Sequence, residues 1–268
     1  MFYNGYFVVI LPLALLYIQV VARMCVLMGR LQHKNKRLYM KKVKLLPVLY
    51  YLVVCTVIVQ AAAFLISSAP DDRKPVKKVL FIGDSMTGWL SERLNAYGEE
   101  NGFEVATVVW DGSTIAKWGN SPKLESIVKA QDPDAVFISL GMNELFEPRP
   151  DVKLKGAVEK IRAAAGDRPI LWVGPPSWPG HDKGKILNDW LAEELGEDSY
   201  FRSSDLDLPR QSAKNPHPTR SGMVQWMDSV VKWMPDHASV VLPGISKPEG
   251  AKMSRGKSFV YKRMKEAL

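Results

Sequence analysis

Short apolar segments alternate with amphipathic ones between residues 78 and 235, and this alternation restricts the folds open to the chain. The apolar segments have the length of buried strands, and the segments between them place apolar residues at helical spacing. Consecutive parallel strands need a crossover connection, which is usually a helix. The pattern therefore predicts an α/β domain with a mostly parallel sheet covered by helices on both faces.

The predicted elements fill one domain at residues 78–235, which follows a short charged linker at 70–77. Strands are predicted at 78–82, 104–110, 135–140, 170–173 and 200–202. Helices are predicted at 87–101, 124–130, 154–165, 185–195 and 221–234. The remaining segment, 236–268, is basic and interrupted by Gly and Pro, so we expect a loosely structured tail there.

Two long apolar runs precede this domain, at residues 2–21 and 45–66, and each is long enough to cross about 30 Å of hydrocarbon as a helix. The segment 30–44 between them carries seven Lys or Arg and no acidic residue. Such a segment stays in the cytoplasm, which places the chain after residue 66 outside it. We interpret residues 1–69 as a membrane anchor region with one or two transmembrane helices.

The number of membrane helices stays open because the chain from Met40 onward also has the form of a signal-anchor by itself. Cleavage at the small residues 67–69 is the alternative to anchoring, although a signal peptide usually has a shorter apolar core. Both alternatives export the domain.

Composition excludes some classes of function. The net charge of +8 does not predict nucleic acid binding, because much of the excess lies in the 30–44 segment and in the tail. The two cysteines, Cys25 and Cys55, both lie in the apolar runs. The exported part therefore has neither a disulfide framework nor a cysteine-based metal site.

Polar residues in short glycine-containing turns follow the first three predicted strands. These turns are GDS at 83–85, DGS at 111–113 and GMNE at 141–144, and the segment NPHPT at 215–219 precedes the last predicted helix. In open α/β sheets, ligands bind beyond the carboxyl ends of the strands. Each residue taken alone has an ordinary explanation, such as a helix cap for Ser85. The ordered set at one sheet edge favours a catalytic site.

These four segments resemble those of the SGNH hydrolases, the GDSL-type esterase and lipase superfamily, over roughly residues 78–235. The resemblance implies a flavodoxin-like three-layer α/β/α sandwich, no cofactor, and hydrolysis or transfer of acyl esters. It implies that Ser85 is the nucleophile, that Gly112 and Asn143 belong to the oxyanion hole, and that His217 is the general base. The substrate does not follow from the resemblance.

The chemistry of these residues agrees with such roles. A serine hydroxyl is a weak nucleophile until a neighbouring imidazole accepts its proton. The N–H groups of Ser85 and Gly112 and the amide of Asn143 are donors suited to a tetrahedral oxyanion, and losing one such donor typically costs about 2.7–4 kcal/mol of barrier.

The chain departs from the family pattern at the acid that orients the histidine. That acid usually lies three residues before the histidine, where this chain has Lys214. A backbone carbonyl could take its place, or Asp205 or Asp207 could reach in from the preceding loop. A second departure, Glu144 where the family often has Asp, is minor.

The leading hypothesis is a membrane-anchored extracytoplasmic esterase that removes acyl groups, O-acetyl above all, from a cell-envelope glycan. Trp178 and His181 are candidates for lining the substrate site, because an aromatic face suits a sugar ring. The alternatives are an acyltransferase of the same fold that acts on an envelope polysaccharide, a lipase or thioesterase, and a non-catalytic binding module on a decayed fold.

Overall fold

The structure is a computed structural model that describes residues 74–178, 184–255 and 260–264, together with six positions between 50 and 60. The chain divides into two compact units, residues 1–72 and 73–268. The described positions of the first unit are helical. No helix among the described residues is both long and apolar enough to cross a membrane. The predicted membrane helices at 2–21 and 45–66 lie outside the described residues except at those six positions.

The second unit is built on a six-stranded sheet in which every neighbouring pair is parallel. The strand order is β5-β4-β3-β1-β2-β6. The strands are β1 (Lys78–Gly83), β2 (Glu104–Trp110), β3 (Ala135–Ser139), β4 (Ile170–Val173), β5 (Tyr200–Phe201) and β6 (Val260–Met264). The parallel sheet predicted from the alternation is confirmed.

Seven helices of the second unit are described, and the five that the sequence predicts are present. They are α1 (Thr87–Asn101), α2 (Ile115–Gly119), α3 (Leu124–Gln131), α4 (Pro150–Lys153), α5 (Lys155–Ala165), α6 (Gly184–Leu195) and α7 (Arg220–His237). The prediction missed α2 and α4 because elements of five and four residues are too short to show an apolar period.

Helices cover both faces of the sheet, and the side chains of β1 alternate between two cores. Val79 and Phe81 belong to one core together with apolar residues of α1 and α7. Leu80 and Ile82 belong to the other, with apolar residues of α2, α3, α5 and α6. Since successive side chains of a strand point to opposite faces, a strand buried on both faces is apolar throughout. The three-layer α/β/α arrangement follows.

The chain order reverses next to β1, which has β3 on one side and β2 on the other. Connections from these strands therefore leave the sheet edge in opposite directions and open a crevice at the carboxyl end of β1. Ligands of doubly wound sheets bind at such a reversal. This position holds Asp84 and Ser85, directly after β1.

The segment predicted as a loosely structured tail differs from that expectation in its described part. Ala238, Val240 and Leu242 are buried in the core beside α1 and α7. Further on, β6 extends the sheet by pairing with β2, from Ala106 opposite Val260 to Trp110 opposite Met264. The domain therefore continues beyond residue 235.

Side chains of α1 hold the segment between these two parts. Arg93 is fully buried and donates to the carbonyls of Lys252, at 2.7 Å, and Pro248, at 3.4 Å. Asn101 accepts from the N–H of Ser246 at 2.8 Å. These hydrogen bonds replace regular secondary structure, so composition alone makes this segment look unstructured.

Candidate active site

Ser85 lies between the end of β1 and the first turn of α1. Asp84, not Ser85, caps this turn: its Oδ1 accepts from the N–H of Met86 at 2.9 Å, and its carbonyl accepts from the N–H of Thr87 at 3.1 Å. The serine hydroxyl therefore does not serve as the helix cap, and Ser85 remains partly accessible at the helix N-terminus.

The structure brings Ser85 and His217 together although 132 residues separate them: Oγ of Ser85 lies 2.9 Å from Nε2 of His217. His217 is half-buried in the turn before α7. Its backbone N–H donates to Oδ1 of Asn215 at 3.0 Å. The N–H of Thr219 donates to the carbonyl of Pro209 at 2.8 Å, which fixes the histidine loop against the preceding segment.

Burial lowers the pKa of His217, and the charge of Asp111 opposes that effect. The imidazole is therefore neutral at neutral pH, which is the form that accepts a proton. When Nε2 accepts the serine proton, Nδ1 must already carry the other proton.

Neither of the two candidate acids reaches the histidine. Asp205 and Asp207 are both exposed, and Asp205 accepts from its neighbour Ser204. Lys214 is exposed on the histidine loop. Within the part of the chain that the structure describes, no carboxylate hydrogen-bonds to His217, so the described groups form a serine–histidine pair.

Gly112 lies in the turn after β2 with a positive φ of 63°, a conformation that favours glycine. A Cβ at this position would meet no atom within 4 Å, so the space above the backbone is open to a ligand. The N–H groups of Gly112 and Ser85 donate to no other described residue. Both are available as oxyanion donors.

The amide of Asn143 is oriented by the two turns beside it. Nδ2 donates to the carbonyl of Ser113 at 2.7 Å and lies 3.4 Å from Oδ2 of Asp84. These contacts place Asn143 next to the residues that adjoin Gly112 and Ser85. Both N–H groups are therefore engaged, and the 3.4 Å hydrogen bond to Asp84 is the longer one, which a developing oxyanion would displace more easily.

Two carboxyl groups close to this amide, the buried Asp84 and the half-buried Glu144, have raised pKa values. Burial raises the pKa of Asp84 to about 7, with an opposing hydrogen bond from Met86 and a further rise from the charge of Asp111. Burial also raises the pKa of Glu144 to about 7, against the hydrogen bond from the N–H of Ile115 and with the Asp84 charge adding to the rise. The charge of Asp84 thus disfavours the ionised form of Glu144.

Of the two candidate lining residues, the structure describes Trp178. Trp178 donates from Nε1 to the carbonyl of Ala213 at 2.7 Å and stacks on Phe146, with 6.0 Å between ring centroids. The tryptophan thus packs beside the histidine loop. His181 lies outside the described residues.

The site opens into a cleft of about 680 Å³ beside Ser85 and His217. The residues that line it come from α1, from the histidine loop with the start of α7, and from the C-terminal segment. Four of its large side chains were not candidates from the sequence: Trp89, Arg220, Arg255 and Arg263. Trp89 lies four residues after Ser85, so helical spacing could have identified it as a residue on the same side of α1. Nothing in the sequence around Arg255 and Arg263 indicates that they line the cleft.

Metal binding finds no support in the described residues, where no group of three or more His, Cys, Asp or Glu is placed to hold an ion.

A serine–histidine pair at the crevice of a three-layer α/β sandwich defines a serine hydrolase. The sequence model of the GDSL-like Lipase/Acylhydrolase family matches residues 81–224, which is more than half of the chain. The protein belongs to this family and is an ester-hydrolysing enzyme. No curated protein matches the chain.

Solved structures of similar fold include three with different activities. A family 3 carbohydrate esterase from Clostridium thermocellum is 15% identical over 61% of this chain and 96% of its own, with a TM-score of 0.48. The psychrotrophic esterase EstA from Pseudoalteromonas sp. is 20% identical over 60% and 100%, with a TM-score of 0.43. The periplasmic domain of a lipopolysaccharide acetyltransferase from Salmonella ser. Paratyphi A is 17% identical over 63% and 66%, with a TM-score of 0.33.

Proposed function

We propose that the protein cleaves O-acyl esters, O-acetyl esters above all, of a cell-envelope glycan, with Ser85 as nucleophile and His217 as general base. The observation that carries the catalytic part is the 2.9 Å contact between Oγ of Ser85 and Nε2 of His217. This distance is within the range over which a base takes the proton of a nucleophile.

The reaction has two halves. Oγ of Ser85 attacks the ester carbonyl while Nε2 of His217 takes its proton, and the N–H groups of Ser85 and Gly112 with the Asn143 amide stabilise the oxyanion. His217 then returns the proton to the leaving sugar oxygen, and the C–O bond breaks to leave an acyl-serine. Water, deprotonated by the same histidine, then attacks the acyl group. The bond to Oγ of Ser85 breaks, His217 returns the proton to Oγ, and the acid is released.

Ser85 and His217 act as a dyad, without a carboxylate as the third member. During attack the imidazole becomes an imidazolium, and a carboxylate normally orients the ring and stabilises that charge. Asp111 supplies part of this stabilisation from a distance, because its charge raises the pKa of His217. We expect slower turnover than in a complete triad.

The proposed location rests on the sequence. The acid-free basic segment 30–44 between two apolar runs favours an anchor with the domain on the outer face of the membrane. An enzyme held there lies beside envelope polymers. This position supports a glycan substrate over a soluble metabolite.

The first experiment compares aryl acetate with a long-chain aryl ester on the full-length protein, together with labelling by a serine-reactive phosphonate. Ser85→Ala should abolish turnover and labelling, while the exposed Ser126→Ala should change neither. Labelling that persisted in the Ser85 variant would contradict the assignment. Ser113 is an unsuitable replacement nucleophile, because its buried hydroxyl accepts from Nε1 of Trp118 at 2.9 Å.

The products distinguish hydrolysis from transfer. Free acetate from an acetylated glycan supports an esterase, whereas acetyl groups that move to an added glycan show an acyltransferase. A strong preference for the long-chain ester would contradict the acetyl assignment and indicate a lipase or thioesterase.

The location is tested separately, with protease added to intact spheroplasts. Digestion of the domain that holds Ser85, without lysis, is the expected result. Digestion only after lysis would contradict the proposed orientation.

A further inference from the structure

The cleft beside Ser85 is basic. Among the residues that line it are three arginines, Arg220, Arg255 and Arg263, and one carboxylate, Glu92. We propose that this cleft binds an anionic group, a carboxylate or a phosphate, carried by the acylated glycan close to the ester. The inference rests on the proposed function and specifies its substrate class as an acidic glycan.

Arg220 is the arginine of the cleft that is most available to an anionic ligand. It is exposed at the first position of α7, three residues after His217, and no described carboxylate pairs with it. Guanidinium groups bind carboxylates and phosphates through two parallel N–H groups, which fixes the ligand in one orientation. An anion on Arg220 would hold the substrate directly beside the base.

The other two arginines that line the cleft form ion pairs. Nε of Arg255 donates to Oε1 of the buried Glu92 at 2.6 Å, and Nε of Arg263 lies 2.9 Å from Oδ2 of Asp111. The side chains of Arg255 and Arg263 remain 63% and 53% exposed. These pairs hold both guanidinium groups at the cleft, and the inference depends on the third arginine, Arg220.

Both of these arginines come from the C-terminal segment. Arg263 belongs to β6, and the N–H of Ser254, next to Arg255, donates to the carbonyl of Glu92 at 2.9 Å. The packing that orders this segment against α1 and β2 thus also brings two arginines to the cleft, each paired with a carboxylate.

A sugar ring has a place in the same cleft. Trp89, one helical turn after Ser85, is 44% exposed although it is a large aromatic residue. Its ring offers an apolar face to the C–H surface of a pyranose, while the arginines offer donors to its anionic substituent. The combination of one exposed aromatic and three guanidinium groups favours an acidic sugar over an acyl chain.

The test compares three substrates on the full-length protein at low ionic strength: an O-acetylated uronic acid oligomer, an O-acetylated neutral hexose oligomer of equal length, and an acetylated hexose phosphate. We expect kcat/KM for at least one anionic substrate to exceed that for the neutral oligomer by about tenfold. The two anionic substrates show whether carboxylate or phosphate is preferred. Added salt should reduce the preference.

Charge reversal identifies the group responsible. Arg220→Glu should lower the ratio of anionic to neutral kcat/KM about tenfold, whereas Arg220→Lys should retain much of it. The matched control is Arg149→Glu, which reverses an exposed arginine outside the cleft and should leave the ratio unchanged. Equal rates for all three substrates, or a ratio that Arg220→Glu does not change, would overturn the inference while leaving the esterase assignment intact.

A binding measurement separates this inference from the proposed function. If no ester, 4-nitrophenyl acetate included, is cleaved, the esterase assignment fails. Calorimetric titration with the deacetylated uronic acid oligomer and with inorganic phosphate then still measures whether the cleft binds an anion. Binding of either that weakens in Arg220→Glu supports the inference, and no binding of both contradicts it.

Discussion

Two neighbouring residues share the chemistry at the end of β1. A serine at this position would ordinarily cap the following helix. Here the carboxyl group of Asp84 accepts a hydrogen bond from the N–H of Met86, and the hydroxyl of Ser85 contacts His217 instead. This division of roles leaves the hydroxyl of Ser85 available to His217.

The first prediction concerns the missing acid. Asp205→Ala and Asp207→Ala should each lower the esterase rate by less than about tenfold, or about 1.4 kcal/mol, because neither side chain contacts His217. His217→Ala should cost several orders of magnitude, since it removes the base. Steady-state kinetics with an aryl acetate measures all three.

A large loss in only one of the two aspartate variants would show that a relocated acid completes a triad. The position at which the family usually has its acid, Lys214 in this chain, can be tested as well. Lys214→Asp should keep the fold, because Lys214 is exposed, and should raise the rate if the new carboxylate reaches Nδ1 of His217.

The second prediction concerns stability and pH. The pKa of Glu144 is about 7 in the folded protein against an ordinary value of 4.5, with burial as the main cause. The folded state therefore holds a proton that the unfolded state has lost. The resulting stability is complete below the unfolded pKa and is lost as the pH rises through the folded pKa.

Glu144→Gln should flatten this dependence, because the amide keeps an oxygen for the N–H of Ile115 but cannot ionise. The free energy of unfolding of the wild type should fall with a slope of up to about 1.4 kcal/mol per pH unit for each proton. Urea denaturation between about pH 5 and 8 measures the slope. Glu193→Gln, at an exposed glutamate of α6, is the control. An unchanged slope in the Glu144 variant would contradict the buried-carboxyl assignment.

At the scale of elements, the crevice depends on how closely β1 approaches β3. Gly83, the last residue of β1, is paired with Ser139. A Cβ on Gly83 would lie 2.1 Å from the carbonyl oxygen of Ser139 and 2.2 Å from Oγ1 of Thr87. Only glycine allows this contact between the two strands and the start of α1.

The third prediction follows: Gly83→Ala should lower the free energy of unfolding by at least about 2 kcal/mol, because the backbone of β3 cannot yield without breaking the sheet. The matched control is Gly156→Ala in α5, where a Cβ meets no atom within 4 Å. That variant should gain about 0.5–1 kcal/mol, since alanine favours helix. Similar denaturation midpoints for the two variants would contradict the steric argument.

At the scale of the whole domain, one buried arginine joins three parts of the chain. Nε of Arg93 in α1 lies 2.7 Å from Oδ1 of Asp228 in α7, and its other nitrogens donate to the carbonyls of Pro248 and Lys252. Asp228 also accepts from Tyr97 at 3.0 Å. Removing the arginine would leave the two carbonyls without this donor and Asp228 with only Tyr97 and Lys247 as partners.

The fourth prediction is that Arg93→Met destabilises the domain by about 3 kcal/mol and loosens the C-terminal segment before the rest unfolds. Limited trypsin digestion should then cut after Lys252 earlier than in the wild type. Arg149→Met, at an exposed arginine, should change neither stability nor digestion. Unchanged digestion at Lys252 would show that Arg93 does not anchor this segment.

Much of the fold could be predicted from the sequence, because burial on both faces makes each parallel strand apolar throughout and each covering helix periodic. The same logic identified the turns after β1, β2 and β3 and the segment around His217. The structure brings Ser85 and His217 within hydrogen-bonding distance, and their catalytic roles stay predictions. The membrane anchor and the export of the domain stay predictions.

The sequence by itself determined the layers, the strand segments and the residue types at the carboxyl edge of the sheet, since these depend on local periodicity and turn chemistry. Only the tertiary structure decided that Asp205 and Asp207 make no hydrogen bond to His217, that the C-terminal segment packs on α1, and that Arg255 and Arg263 line the cleft. Each of these depends on contacts between residues far apart in the chain, such as Arg263 with Asp111. Such contacts leave no periodic signal, because they are fixed by the geometry of packed elements and not by the order of neighbouring residues.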